Sequence, residues 1–347
     1  MVAALLAAAP AGAQSASMVE QLLMETLGFS ADQVRSLRAG ATVVRSLDTR
    51  MREELAHVGV VYLDASVAQF VERFRDIERF ERGTGVPAIG RFSDPPRLED
   101  LDALSLADAD VAALRTCRAG DCSVKLPAAA MARFRDEVDW SSAESAQQAN
   151  ALNRQMIFDL LQAYRAHGNA ALGHYDDGDR PLVVAEHVVG LLASDDPLPA
   201  PVPALLAYLE HYPEGRPEGV EEFFYWTVVN FGLKPTVRVS HVAMIPLDAS
   251  VPPGVSYAIA IKQLYASHYF HATLELRFLV EDDGRQPRLG TWLVSVTRSR
   301  NDGMTGFRSL FLRPIIARRS REGVAGYMEH VKRQVESSAP GESVTSD

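Results

Sequence analysis

The chain is 347 residues long, 47% hydrophobic and 23% charged, with two cysteines and a formal net charge of −10. That composition belongs to a folded globular protein and excludes an acidic disordered chain or a collagen-like repeat. The acidity argues against a general nucleic-acid binder, which carries an excess of Lys and Arg; no apolar run approaches the ~20 residues that cross a bilayer.

The first seventeen residues combine an apolar stretch from Val2 to Ala9, a helix-breaking Pro10 and the small residues Ala11, Gly12 and Ala13. Such an order predicts a secretory signal peptide cut after about Ala13, and hence a periplasmic or secreted protein; a basic n-region is missing, and a flexible Ala-rich start is the other reading. Cys117 and Cys122, with Gly120-Asp121 between them, are spaced for one disulfide closing a turn. Free core thiols are the alternative if the chain is not exported. Two cysteines cannot complete a zinc site, and neither metal nor cofactor is expected.

The mature structure is expected from Met18. β-Branched clusters at Thr42–Val44 and Val58–Leu63 predict strands, and Ser66 is placed to cap a helix carrying Val67, Phe70, Val71, Phe74 and Ile77. Gly83, Gly85, Pro87 and Pro95-Pro96 mark residues 83–127 as short strands and turns. From 128 to 219 helical spacing takes over, as at Leu152, Met156, Leu160 and Tyr164, with a stiff loop at Pro197, Pro199, Pro201 and Pro203. Four strands are expected next: Phe223–Val229, Pro235–Ile245, Val255–Val280 and Leu289–Arg300. Short turns, at Pro252-Pro253-Gly254 and Asp282-Asp283-Gly284 among others, make them one antiparallel sheet. A last helix places Val324, Tyr327, Met328, Val331 and Val335 on one face, and residues 337–347 form a polar tail expected to be disordered.

Alternation along a strand predicts which side chains point inward. The odd positions of 237–245 and the even positions of 264–278 and 292–300 are the apolar ones, and the odd positions of 255–261 imply a phase switch near Lys262-Gln263. The inward set contains His241, His268, Phe270, Ala272, Trp292, Arg298 and Arg300, with Lys262 at the switch. These are the candidate ligand-binding residues, because a buried charge needs a partner, a wet cavity or an anionic ligand. Core hydrogen bonding for the histidines, and solvent beyond the sheet edge for the arginines, are the competing assignments. No nucleophile elbow, zincin pair, P-loop or dinucleotide fingerprint occurs. Residues 298–336 hold nine Lys or Arg against four acids, and 310–321 join apolar and basic residues in a way that suits anionic lipid as well as a solvated helix face.

The order strand 58–63, helix 66–80, helical region, antiparallel strands 223–300 and C-terminal helix resembles the helix-grip layout of START-like (SRPBCC) domains. The resemblance implies an α+β fold over 18–336, in which a curved antiparallel sheet grips the C-terminal helix around an apolar cavity for lipids or other hydrophobic molecules. The helical insertion at about 128–219 and the run Asn301–Ile316 depart from that layout. The segment Lys262–His271 with Arg298–Gly303 also resembles uncharacterised exported bacterial proteins, which implies no function. The expected activity is carriage of a hydrophobic, anionic or neutral, small molecule or lipid, without nucleic acid. A hydrolase or isomerase using His241 or His268 as base, and a structural envelope protein with a membrane contact through 310–321, are the alternatives.

Overall fold

The computed structural model describes residues 18–83, 85–192, 202–230, 232–248, 254–282, 290–304 and 309–337. The expected signal segment 1–17, Pro197, Pro199, Pro201, Pro252, Pro253, Asp283, Gly284 and the tail from 338 lie outside them.

Two helices, α1 (Met18–Gln21) and α2 (Ala31–Arg38), precede the antiparallel hairpin of β1 (Val43–Leu47) and β2 (Glu54–Leu63). Ser66 caps α3 (Val67–Arg75) as expected: its hydroxyl accepts from the Gln69 N–H, while the Gln69 side chain accepts from the Ser66 N–H, so two helix-end donors are satisfied reciprocally. After α4 (Ile77–Glu81) the chain forms β3 (Ala88–Arg91) and then leaves the sheet. It builds α5 (Asp108–Leu114), α6 (Ala128–Glu137), α7 (Ser145–His167), the two-residue strands β4 (His174–Tyr175) and β5 (Leu182–Val183), α8 (Val184–Leu192) and α9 (Pro203–His211). Helix α5 corrects the expectation of strands and turns alone across 83–127. Its Ala and Leu residues favour a helix, and Asp108 and Asp110 in the first turn suit the positive end of the dipole. Cys117 and Cys122 are bonded just after it, with Cα atoms 4.6 Å apart.

The chain then returns as β6 (Glu221–Val229), β7 (Thr236–Pro246), β8 (Val255–Ala266), β9 (Phe270–Glu281) and β10 (Thr291–Asn301), and ends in α10 (Ser309–Glu336). The main sheet is antiparallel, in the order β1-β2-β10-β9-β8-β7-β6-β3. The expected single strand Val255–Val280 is thus a hairpin. Its turn, Ser267-His268-Tyr269, carries no Gly, Pro or Asn; Tyr269 itself adopts φ 62°, the region normally announced by glycine.

Both faces of the sheet are buried, so the apolar odd and even positions belong to two different cores, and the expected switch is present as a bulge. Val58, Val60, Val239, Ala260, Leu274 and Val294 pack under the helices α1, α2 and α5–α9. Val61, Val242, Ile259, Ile261, Leu279 and Leu293 pack under α3, α4 and Met328, Val331 and Val335 of α10. Odd and even positions of β8 are therefore both apolar because each faces a different core. An irregularity does occur near the expected place: Val239 pairs with Tyr265 but Ser240 with Gln263, leaving Leu264 as the extra residue. Gly59 lets α10 approach, since a Cβ there would stand 3.2 Å from the Met328 Cγ.

Candidate functional site

On the face beneath the helical layer, His241 and Lys262 are cross-strand neighbours, flanked by Phe224 and Leu274. The layer supplies their partners. Lys262 Nζ donates to Asn169 Oδ1 (2.9 Å) and to the Leu209 carbonyl (2.7 Å), and lies 4.7 Å from the centre of the Tyr164 ring. Burial pulls its pKa down to about 7, and the two acceptors match the two N–H bonds of a neutral amine. His241 sits between the Tyr164 hydroxyl (3.0 Å from Nδ1) and Glu222 Oε2 (3.2 Å from Nε2). Burial holds this imidazole neutral, at a pKa of about 4. Nε2–H therefore donates to Glu222 while Nδ1 accepts from Tyr164. Burial pushes the Glu222 carboxyl up, but bonds from His241 and Tyr208 outweigh it and keep the group ionised. This array closes on itself and pins α7 and α9 to the sheet.

The other expected site residues do not join it. His268 lies in the β8–β9 turn, bonded through Nε2 to Asp110 Oδ2 of α5 at 2.8 Å. Phe270 lies 5.5 Å beneath the Arg238 guanidinium. Ala272 is sealed in the core under the helical layer. Trp292 is at the far end of β10, edge-on to Tyr62. Arg298 and Arg300 lie neither in solvent nor beside unpaired space: Arg298 Nε meets Glu54 Oε1 at 2.7 Å, and Arg300 Nε meets Glu54 Oε2 at 3.4 Å. Arg298 also donates to the Leu191 carbonyl, and Arg300 lies against α8 where Gly190 has no side chain. Their inward direction was expected; the acid they share, Glu54 on the adjacent strand β2 directly opposite Arg300, was not.

Glu275 and Arg277 occupy odd positions, opposite the apolar even positions of 264–278, yet Arg277 is 1% exposed. It lies between the sheet and α10. Nε donates to Glu275 Oε1 (2.7 Å), Nη2 donates to the Tyr327 hydroxyl, and the Phe74 and Tyr327 rings flank the guanidinium at 5.1 and 5.0 Å. Tyr327 in turn donates to Glu81, and Ser295 donates to Glu275. Burial raises the pKa of Glu81. It also pushes Glu275 up, but the Arg277 charge prevails and leaves that carboxylate low. Among the described residues, Arg277 Nη1 and, nearer the turn end, Arg238 Nε are buried without a hydrogen-bond partner.

Beside this cluster the α10-side face changes character. Tyr225, Ser240 and Gln263 are successive cross-strand partners, Thr273 pairs with Ser299, and the Thr273 hydroxyl donates to Gln263 Oε1 at 3.2 Å. A row of polar side chains thus crosses five strands, and all of them are buried. Apolar walls stand next to it in Phe74, Phe80, Val242 and Ile261. The arrangement is chemically suited to an amphipathic molecule: apolar surface for a tail, hydroxyls and an amide for a polar middle, and spare guanidinium N–H bonds for an anionic end. The signal available in the sequence was Tyr257, Ile259 and Ile261 opposite Ala258 and Ala260, which makes β8 apolar on both sides and brings its neighbour's charges indoors.

Among the described residues no group of three His, Cys, Asp or Glu is arranged to hold a metal ion, and no helix is long and apolar enough to cross a membrane. No protein-family model matches the chain, and no curated protein matches it.

Proposed function

We propose that this is a START-like, helix-grip carrier for a hydrophobic molecule with an anionic end, held between the sheet and α10. The strand order from β2 through β10 to β3, with α3 and α4 between β2 and β3 and α10 after the last strand, supports the helix-grip reading. The observation that carries the binding reading is the buried polar row from Tyr225 to Ser299 with the unspent Arg277 Nη1 beside it. Buried polar groups cost free energy unless they are bonded, and a packing core has no need of such a row. In this reading the ligand occupies the α10 side and not the even face of β9, which the helical layer fills. The disulfide fits an exported protein.

Mass spectrometry of solvent extracts from gently purified protein should find a co-purified amphipathic acid. A fluorescent fatty acid should bind the emptied protein, and Thr273→Trp should abolish that binding by filling the row. Arg277→Met should weaken a charged probe about tenfold while sparing its alcohol analogue. Absence of both co-purified and added ligand, or unchanged binding in Thr273→Trp, would remove the carrier reading.

A further inference from the structure

The loops β1–β2 and β6–β7, the C-terminal end of β10 and the start of α10 meet at one end of the sheet. The Asn301 N–H donates to the Glu53 carbonyl at 3.1 Å, and the Lys234 N–H to the Tyr269 hydroxyl at 3.0 Å. A Cβ at Gly303 would lie 3.8 Å from both Leu312 and Ile316. Eight large apolar side chains are exposed among the described residues, and five of them, Met51, Leu233, Phe311, Leu312 and Ile315, are at this end. Phe311 is the most exposed, at 69%. Between 311 and 321 the helix carries four arginines (313, 318, 319 and 321) and no acid, in a chain of net charge −10. Arg52 and Lys234 are exposed on the adjoining loops.

We infer that this end docks on an anionic phospholipid bilayer, with Phe311 and Ile315 inserted at the headgroup level and the arginines against the phosphates. Spacing supports it: Phe311, Ile315 and Arg318 recur at helical intervals, so one face offers both apolar tips and cations. Charge complementarity selects the occupant. The rest of the acidic molecule is repelled by an anionic membrane, so the field turns this end toward it. A second copy of the chain is disfavoured there, because a two-fold contact through the patch would face arginines with arginines. The docking stands independently of the carrier reading. If both hold, the buried polar row lies at the membrane end of the sheet, since Thr273 and Ser299 are within three residues of the ends of β9 and β10.

Co-sedimentation of the full chain with vesicles tests this. Vesicles containing about one quarter phosphatidylglycerol in phosphatidylcholine should pellet the protein, pure phosphatidylcholine should not, and added salt should release it. The double variants Phe311→Ser/Ile315→Ser and Arg318→Glu/Arg319→Glu should each lower partitioning about tenfold. Leu98→Ser, at an exposed apolar site elsewhere, should leave it unchanged, and circular dichroism should show all variants folded. Wild-type protein that stays in the supernatant with both vesicles, or partitioning indifferent to either double variant, would overturn the assignment. A dimer in sedimentation equilibrium that Phe311→Ser dissociates would give the patch to a second copy instead.

Discussion

Lys262 is the most demanding group in the sheet, and its titration reports whether the helical layer seals over it. In the unfolded chain a lysine keeps its ordinary pKa near 10.5, whereas burial lowers that of Lys262 to about 7 in the folded protein. Between those values the unfolded state binds a proton that the folded state does not, so stability rises with pH from about 7 to 10.5 and is flat below 7 on account of this group. A shift of that size corresponds to about 5 kcal/mol as an upper figure. Lys262→Met removes the titration but leaves the Asn169 amide oxygen without its donor, a cost of about 1–3 kcal/mol, while the Leu209 carbonyl loses one donor and keeps the Asn169 amide N–H. The difference between wild type and variant should therefore change with pH: the variant compares best near neutrality and loses ground toward pH 10. Urea unfolding of both proteins from pH 6 to 10 measures it. Parallel profiles would refute the reasoning, because they would mean that Lys262 keeps its charge in water and the layer is open above it.

Glu54→Gln should destabilise the protein by about 3–5 kcal/mol in denaturant titration, since the carboxylate that bonds both the Arg298 and Arg300 guanidinium groups would lose its charge; a loss under 1 kcal/mol would show that Arg298 and Arg300 reach water. Replacing Cys117 and Cys122 by alanine should cost about 2 kcal/mol on loop-closure grounds, and the native protein should show no free thiol to alkylating reagent before reduction.

The layered pattern was largely legible in the sequence because period-2 and period-3.6 spacing survive any tertiary context. Ser66 as a helix cap, the face of α10 at Met328, Val331 and Val335, and the helical stretch from 128 needed only local chemistry. What local chemistry could not supply was which face was which. A strand buried on both sides looks like a strand whose phase slips, and the β8–β9 turn hides because Tyr269 adopts a glycine-like φ without being glycine. The same blindness moved the candidate site. His241 and Arg298 were correctly placed inside, but their partners Tyr164 and Glu54 lie 77 and 244 residues away in the chain. Pairing at such separations is a tertiary fact, and without it a satisfied cation and a ligand-seeking one look alike.

That distinction decides between the two faces. Under the helical layer the ionisable groups of the strands are hydrogen-bonded: Lys262 has two acceptors, His241 a donor and an acceptor, and Arg298 and Arg300 share the Glu54 carboxylate. Removing any one partner leaves a buried group uncompensated, so the cluster acts as a clasp holding helices to strands. Under α10 the count differs. Arg277 has one ionised neighbour in Glu275 and one carboxyl, Glu81, that burial drives toward its neutral form, and a guanidinium N–H beside the polar row has no acceptor. A buried guanidinium N–H without an acceptor is unfavourable for stability alone and favourable for holding an anion. In the carrier reading proposed above, it is this unspent guanidinium N–H, and not net charge, that favours the α10 side as the face for a ligand.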